Sequence, residues 1–137
     1  MTRVLEHARR LTWREFTGIS EAAMVLCRVA VGLRRNNFAD LVRRLHLDEK
    51  MPAAGAELVE QEARRVRRAH RLVPLESNCL LDSVATAALV HRRGYSIALV
   101  IGVQRDGASL HAHAWLGEPS PQDAINFRPL LRVPSEE

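Results

Sequence analysis

The spacing of the apolar residues changes once along this 137-residue chain, and the change falls at Gly94. Before Gly94 the apolar residues recur at helical spacing, and after it they run in extended, alternating order. A helical period of about 3.6 residues that gives way to a period of two predicts helices followed by strands. The expected fold class is therefore α+β, with a helical N-terminal half followed by a small antiparallel sheet packed on one of the helices.

Composition and length favour a single helix-rich domain. Apolar residues make up 47% of the chain but aromatic residues only 4%, so the core must be built from Leu, Val, Ile and Ala. A chain of this length fits one domain. We expect that domain to span residues 1–137, with a helical part at 1–73 and the part that carries the chemistry at 74–137.

Capping residues and apolar periodicity predict four helices. Thr12 is expected to cap the first helix, and either Ser77 or Asn78 is expected to cap the fourth helix. Gly94 is expected to end the fourth helix in the left-handed conformation. The predicted helices span residues 12–33, 38–45, 57–72 and 79–93.

A hairpin and a third strand are predicted after Gly94. Residues 95–103 form an apolar, β-branched run, residues 105–108 have the composition of a hairpin turn, and residues 109–116 alternate strictly. A third strand is expected near residues 127–133, where Pro129 favours an edge position.

Charge and cysteine content argue against several classes of protein. The formal net charge is +4, but the arginines are spread in pairs along the helices rather than gathered in one stripe, so nucleic-acid binding is not expected. The most apolar run, residues 22–33, is interrupted by Arg28 and is too short to span a membrane. No signal peptide precedes it, and Cys27 and Cys79 share no motif, so we expect free thiols in the cytoplasm.

Cys79 opens the fourth predicted helix, and a strand with two histidines follows that helix. Backbone N–H groups and the positive end of a helix favour a thiolate over a thiol. Strand alternation puts His111 and His113 on one face, roughly 7 Å apart, so one thiol can use only one of them. This pairing predicts a cysteine nucleophile with an imidazole base, and Asp123, past the next turn, is the candidate that orients the base.

Other interpretations of these residues stay open at this point. A cysteine at a helix start can be a small core residue, and Cys27 is expected to be one. A His-x-His strand can bind metal, but no third ligand stands at a suitable spacing, so neither a metal nor another cofactor is expected. Asp82, one turn after Cys79, is either a rival to Asp123 or only a favourable first-turn acid. Four histidines on the helices are expected to face solvent: His7, His46, His70 and His91.

Four short segments of the chain resemble one known family. They read Ser-Asn-Cys-Leu-Leu at 77–81, Val-His-Arg-Arg-Gly-Tyr at 90–95, Leu-Val-Ile-Gly-Val at 99–103 and Ala-His-Ala-Trp-Leu at 112–116. In these segments the chain resembles the lasso-peptide leader peptidases, a bacterial branch of the transglutaminase-like cysteine proteases. The resemblance implies a transglutaminase-like, papain-like core in which the sheet packs on the helix that carries the cysteine.

The resemblance also implies roles for particular residues. Cys79 matches the nucleophile, and His113, the histidine of His-Ala-Trp, matches the base, which leaves His111 as a bystander. The acid of the family follows a longer strand that ends in an Asn-Asp step, and this chain is shorter there. Asp123 is the expected acid, with Asn126 and Glu118 as alternatives.

The activity implied is that of a cysteine peptidase that removes the leader from a ribosomally made lasso-peptide precursor, without a cofactor. The implied partners are the leader region of the precursor, a separate leader-recognition protein and the cyclase that closes the macrolactam. The recognition protein is expected to dock on the apolar N-terminal helices or on the sheet edge. Two alternatives are a non-catalytic adaptor of the same fold that binds a peptide or a partner, and an acyl transferase that uses the same triad.

Overall fold

The structure, a computed structural model, describes residues 13–118 and 120–134, with the backbone alone at Asp106 and Asp123. Helices come first and strands follow, as the change of period predicts. The elements are α1 (Trp13–Arg35), α2 (Phe38–Arg44), α3 (Ala56–Ala69), α4 (Cys79–Arg92), β1 (Leu99–Asp106), β2 (Ser109–Leu116), α5 (Pro121–Asn126) and β3 (Arg128–Val133).

The predicted α+β class is confirmed, and so are the four longer helices and the three strands to within a few residues. Gly94 ends the fourth helix with a φ of 91°, and Gly107 turns the hairpin with a φ of 62°. Thr12, the predicted cap of the first helix, lies outside the described residues.

Helix α5 is the element that the sequence prediction misses. It is one and a half turns long and lies between β2 and β3, after a turn at Gly117. Pro121 at its first position suits a helix start, because that residue needs no backbone donor there. Its residues show no apolar stripe, so hydrophobic periodicity gives no sign of it.

The core is one cluster of aliphatic side chains in which α4 is the central helix. Helix α4 packs against α1 and α3 on one side and against β2 on the other. Leu26 of α1, Val66 of α3 and Leu89 of α4 are almost completely buried in this cluster. Since α4 begins at Cys79, the helix that carries the candidate nucleophile is also the one around which the chain is folded.

Helix α1 is longer than the apolar run seen in the sequence. By length and composition alone its 23 residues could cross a membrane, with a mean hydropathy of 1.5 in the most apolar window. In the structure 33% of that window is buried. The helix packs on its neighbours through one stripe, formed by Gly18, Ala22, Val25, Leu26, Val29 and Gly32.

Cys27 lies beside this stripe rather than in it. Its side chain is exposed, so the prediction that it packs in the core is wrong. The reason is geometric: the buried stripe of α1 passes through Leu26 and Val29, and Cys27 points away from both. Cys27 instead borders an open groove between α1 and α2.

The sheet has the strand order β2-β1-β3, with both pairs antiparallel, so β2 and β3 are outer strands. Pro129 therefore lies on an edge strand, as predicted. Alternation divides the sheet into two faces. Ala114 and Leu99 belong to the core cluster on the face that packs on the helices, whereas Trp115 and Val100 are buried on the opposite face.

A buried carboxylate joins three helices at the end of α4 that lies away from Cys79. Glu62 of α3 is fully buried and accepts hydrogen bonds from Arg65 at 2.9 Å and from Arg93 at 3.1 Å. Arg93 also pairs with Glu21 of α1. Burial lowers the pKa of Arg93, but its bonds with Glu62 and Glu21 outweigh burial, so the pKa is raised above its ordinary value.

Candidate active site

The backbone around Cys79 is fixed by the cap of α4. Asn78 is the N-cap, in extended conformation, and its side chain accepts a hydrogen bond from the Leu81 amide at 2.8 Å. The first backbone bond of the helix runs from the Asp82 amide to the Asn78 carbonyl at 3.0 Å. The amides of Cys79 and Leu80 precede this pairing, so two N–H groups at the positive end of the helix adjoin the thiol.

The side of α4 that carries Cys79 faces strand β2. Cys79 is half-buried against the core cluster. Ser83, one turn further on the same side of the helix, donates a long hydrogen bond of 3.5 Å to the Ala114 carbonyl of β2. Ala114 directly follows His113, so the cysteine helix packs against the strand that carries the predicted base. Strand alternation turns the His113 ring to the opposite face of the sheet, beside Trp115, so the structure does not place it against Cys79.

The imidazole of His113 lies among aromatic rings. Its centroid is 5.1 Å from the ring of Phe127 and 5.8 Å from the ring of Trp115, and the side chain is half-buried. Gly102 lies opposite His113 on β1, and a Cβ there would come within 2.6 Å of the Trp115 ring. The absence of a side chain at Gly102 therefore makes room for the ring that lies beside His113.

His111 and His113 differ in their surroundings. His111 pairs with Gln104 nearer the hairpin turn, and its side chain is exposed. Alternation correctly predicts that the two histidines share a face, but it cannot distinguish them, because their burial depends on Phe127 and Trp115 from other positions. Of the two histidines, His113 is the one whose ring packs against other side chains.

The candidates for the third residue lie in and around α5. Asp123 is in the middle of α5, four residues before Phe127, and its side chain lies outside the described part of the structure. Asn126 ends the helix and is exposed, and Glu118 is exposed in the turn after β2. Helix α5 leads directly into Phe127, whose ring contacts His113.

Asp82, the rival orienter, has other partners. One of its carboxylate oxygens meets His70 Nε2 at 2.5 Å, and the other accepts a short hydrogen bond from the Ser77 hydroxyl. His70 Nδ1 lies 3.1 Å from the Leu75 carbonyl. The exposed fraction of the His70 side chain is 13%, so the prediction that His70 faces solvent is wrong. Its contact with Asp82 spans twelve residues of sequence and a turn, which no local pattern reveals.

The remaining helix histidines differ from one another. His46 is 65% exposed, as predicted, whereas His91 is only 13% exposed, because its ring lies toward α2 and Glu49. His7 lies outside the described residues. Across residues 13–118 and 120–134, no three His, Cys, Asp or Glu side chains come together as a metal-ligand set.

Comparison with known proteins gives one family. A family model described as the transglutaminase-like superfamily matches residues 23–123, about three quarters of the chain, and the match contains both Cys79 and His113. No curated protein and no solved structure matches the chain.

Proposed function

The chain belongs to the transglutaminase-like superfamily, and from this premise we propose that it is a cysteine peptidase that removes the leader from a lasso-peptide precursor. The superfamily includes cysteine peptidases. The observation that carries the proposal is the position of Cys79, which begins a capped helix and lies on the side of that helix facing β2. A thiol placed in this way has the anion-stabilising amides that a nucleophile needs.

The chemistry assigned to these residues is acyl transfer to water. We assign to His113 the removal of the Cys79 proton, for which its ring must reach the thiol around the outer edge of β2. The thiolate then attacks the carbonyl carbon of the bond between leader and core. The amides of Cys79 and Leu80 hold the oxyanion that forms. His113 then gives its proton to the amine that leaves with the core, and the leader remains as a thioester. Water, deprotonated by His113, hydrolyses the thioester and restores the thiol.

The choice of His113 and Asp123 rests on their neighbourhood. The ring contacts with Trp115 and Phe127 restrict the motion of the His113 imidazole, which favours it as a base over the exposed His111. Asp123 is proposed as the residue that orients the imidazole, because it lies four residues before Phe127, whose ring contacts His113. A carboxylate in that role fixes the tautomer and stabilises the imidazolium.

We propose that the leader-recognition protein is a separate partner that docks in the groove between α1 and α2. The groove has a volume of about 560 Å³ and an apolar floor that includes Val31 and Leu41. Its rim carries Arg28, Arg35 and Arg44, and no acidic residue is among the described residues that line it. An acidic surface with apolar side chains at its centre matches this groove in charge and polarity.

Reversal of charge in the groove tests the docking site. The variant R28E/R44E should weaken binding to the recognition protein by at least about tenfold, measured by calorimetry. Arg64 and Arg71 are exposed on α3 and just after it, outside the groove, so R64E/R71E, with the same change of net charge, serves as the matched control. Equal affinity of R28E/R44E and R64E/R71E would exclude the groove as the docking site.

The freed amine of the core is proposed to pass to a separate macrolactam-forming cyclase. We also propose that the chain acts in the cytoplasm, where a reducing environment keeps Cys79 as a thiol.

The direct test is mass spectrometry of the products after the chain is mixed with the precursor and the recognition protein encoded beside it. Cys79→Ala should abolish cleavage and leave the circular dichroism spectrum unchanged, because the side chain is small and only half-buried. Ser20→Ala, at an exposed serine of α1 outside both the groove and the candidate site, should cleave at the rate of the unmodified chain. Full cleavage by Cys79→Ala would refute the proposal.

Thiol labelling separates a peptidase from a non-catalytic adaptor. Cys27 is exposed and Cys79 half-buried, so access alone favours labelling of Cys27. An activated Cys79 should nevertheless react faster with iodoacetamide at neutral pH, and His113→Ala should slow it. Faster labelling of Cys27 would favour the adaptor. An acyl transferase would label like a peptidase and differ in its product, an amide in place of a free leader carboxylate.

A further inference from the structure

A second histidine–carboxylate pair adjoins the helix start that carries Cys79. His70, the residue after α3, places Nε2 at 2.5 Å from Asp82 Oδ1 and Nδ1 at 3.1 Å from the Leu75 carbonyl. Ser77 donates to the other carboxylate oxygen of Asp82. The side chains of His70 and Asp82 are 13% and 28% exposed, so water screens this cluster only partly.

This cluster joins the end of α3 to the first turn of α4 across the loop between them. His70 contacts the loop at Leu75, and Ser77 and Asp82 close it from the other side. Asp82 is three residues after Cys79, and residues three apart on a helix are neighbours on its surface. The carboxylate and the thiol therefore share the first turn of α4.

Both ring nitrogens of His70 face acceptor atoms, one a carbonyl and the other a carboxylate. An imidazole ring with a proton on each nitrogen donates to both acceptors, and its positive charge then balances Asp82. Without that balance, the carboxylate would repel a thiolate one turn away and favour the neutral thiol.

We propose that His70 is a positioning residue for Cys79: it holds Asp82 and the loop before α4, and it neutralises the carboxylate that would otherwise oppose the thiolate. This inference rests on the proposed function, since it assigns a role to a reactive Cys79. It also explains how a helix start can carry both an acid in its first turn and a nucleophile.

Few other charged groups bear on this turn. Glu76 is exposed in the loop, Arg71 is exposed at the end of α3, and β2 contributes His113 in the proposed site. The acids of α1 and α3 at this core, Glu21 and Glu62, pair with arginines at the opposite end of α4. Among the described residues, His70 is therefore the basic side chain that directly contacts Asp82.

The test is the rate of iodoacetamide alkylation of Cys79 against pH in Cys27→Ser, with the added changes H70Q, D82N and H70Q/D82N. H70Q should move the midpoint of the profile upward by about one pH unit, because it leaves the carboxylate unbalanced. D82N alone should not raise the midpoint. The double variant should return to within a few tenths of the parent, since the opposing charge is gone.

The double variant distinguishes a charge role from loss of structure. If His70 only held the loop, H70Q and H70Q/D82N would share the same altered pH profile, and that result would overturn the proposal. An unmoved midpoint in H70Q would overturn it as well. Circular dichroism verifies the fold of each variant, and H70N replaces H70Q if H70Q does not fold. Leader cleavage by the unmodified chain is measured alongside. Cleavage together with an unmoved H70Q midpoint overturns this inference alone. No cleavage together with the predicted midpoints overturns the peptidase alone.

Discussion

At the scale of single residues, Gly102 determines how tightly the site can be built around His113. It faces His113 across the β1–β2 pair, and the ring of Trp115 occupies the space where a side chain would lie. Phe127 closes the same space from the other side, with its Cβ at 3.1 Å from the position of an added Cβ. The aromatic rings against which the imidazole packs thus depend on a residue that carries no chemistry itself.

The variant Gly102→Ala should therefore be destabilised. The added methyl group must displace the Trp115 ring, which typically costs about 1–3 kcal/mol when a packed region is overfilled. Urea denaturation measures the loss, and the rate of leader cleavage should fall with it because the His113 ring loses its fixed position.

Gly55→Ala is the matched control for that change. Gly55 precedes α3 with an ordinary negative φ, and nothing lies within 4 Å of an added Cβ. Its stability should change by less than about 1 kcal/mol, because Ala caps a helix less well than Gly but also lowers the entropy of the unfolded chain. Equal denaturation midpoints for Gly102→Ala and the unmodified chain would show that the Trp115 ring does not depend on Gly102.

At the scale of elements, the start of α4 matters most. The Asn78 side chain occupies the Leu81 amide, so the amides of Cys79 and Leu80 are the ones left beside the thiol. The cap of α2 has the same geometry, with the Asn37 side chain accepting from the Asp40 amide at 2.8 Å. The two caps provide a comparison between a helix start with a proposed function and one without.

Asn78→Ala and Asn37→Ala should each cost about 1 kcal/mol of stability, the usual value for a lost cap. Only Asn78→Ala should slow the alkylation of Cys79, because only that cap orients the amides beside the thiol. Denaturation and labelling measure the two effects separately. Slower alkylation in both variants would mean that the effect follows global stability rather than the cap.

Local patterns predict these elements well and their long-range contacts poorly. The cap of α4, the stop at Gly94 and the alternation of β2 depend on adjacent residues, so the sequence predicts them, although it leaves the cap open between Ser77 and Asn78. The burial of His70 depends on Asp82 from another helix, and α5 is too short to show a period. For the candidate site, the sequence predicts Cys79 and the shared face of the histidines, but not the rings that surround His113.

At the scale of the whole molecule, the N-terminal helices and the cysteine helix share one core. Leu26, Val66 and Leu89 belong to a single buried cluster that also reaches Ala114 of the sheet. The carboxylate of Glu62 links α1, α3 and the end of α4 through Arg93. We therefore expect α1 and α3 to be required for the fold of α4 and the sheet.

Leu26→Ala tests this dependence. It removes a fully buried side chain of α1 and should cost about 2–5 kcal/mol. Unfolding followed by circular dichroism and by labelling of Cys79 should give one coincident transition at lower urea. Two separate transitions would show that α1 and the cysteine helix fold independently.

The central claim is that Cys79 cleaves the leader from its precursor by transfer of the acyl group to water. Cleavage in water enriched in the heavy isotope of oxygen, followed by mass spectrometry of the released leader, tests it most directly. The account predicts a heavy oxygen in the new leader carboxylate with the unmodified chain, and an intact precursor with Cys79→Ala. A leader joined to an amine, or labelled leader from Cys79→Ala, would contradict it.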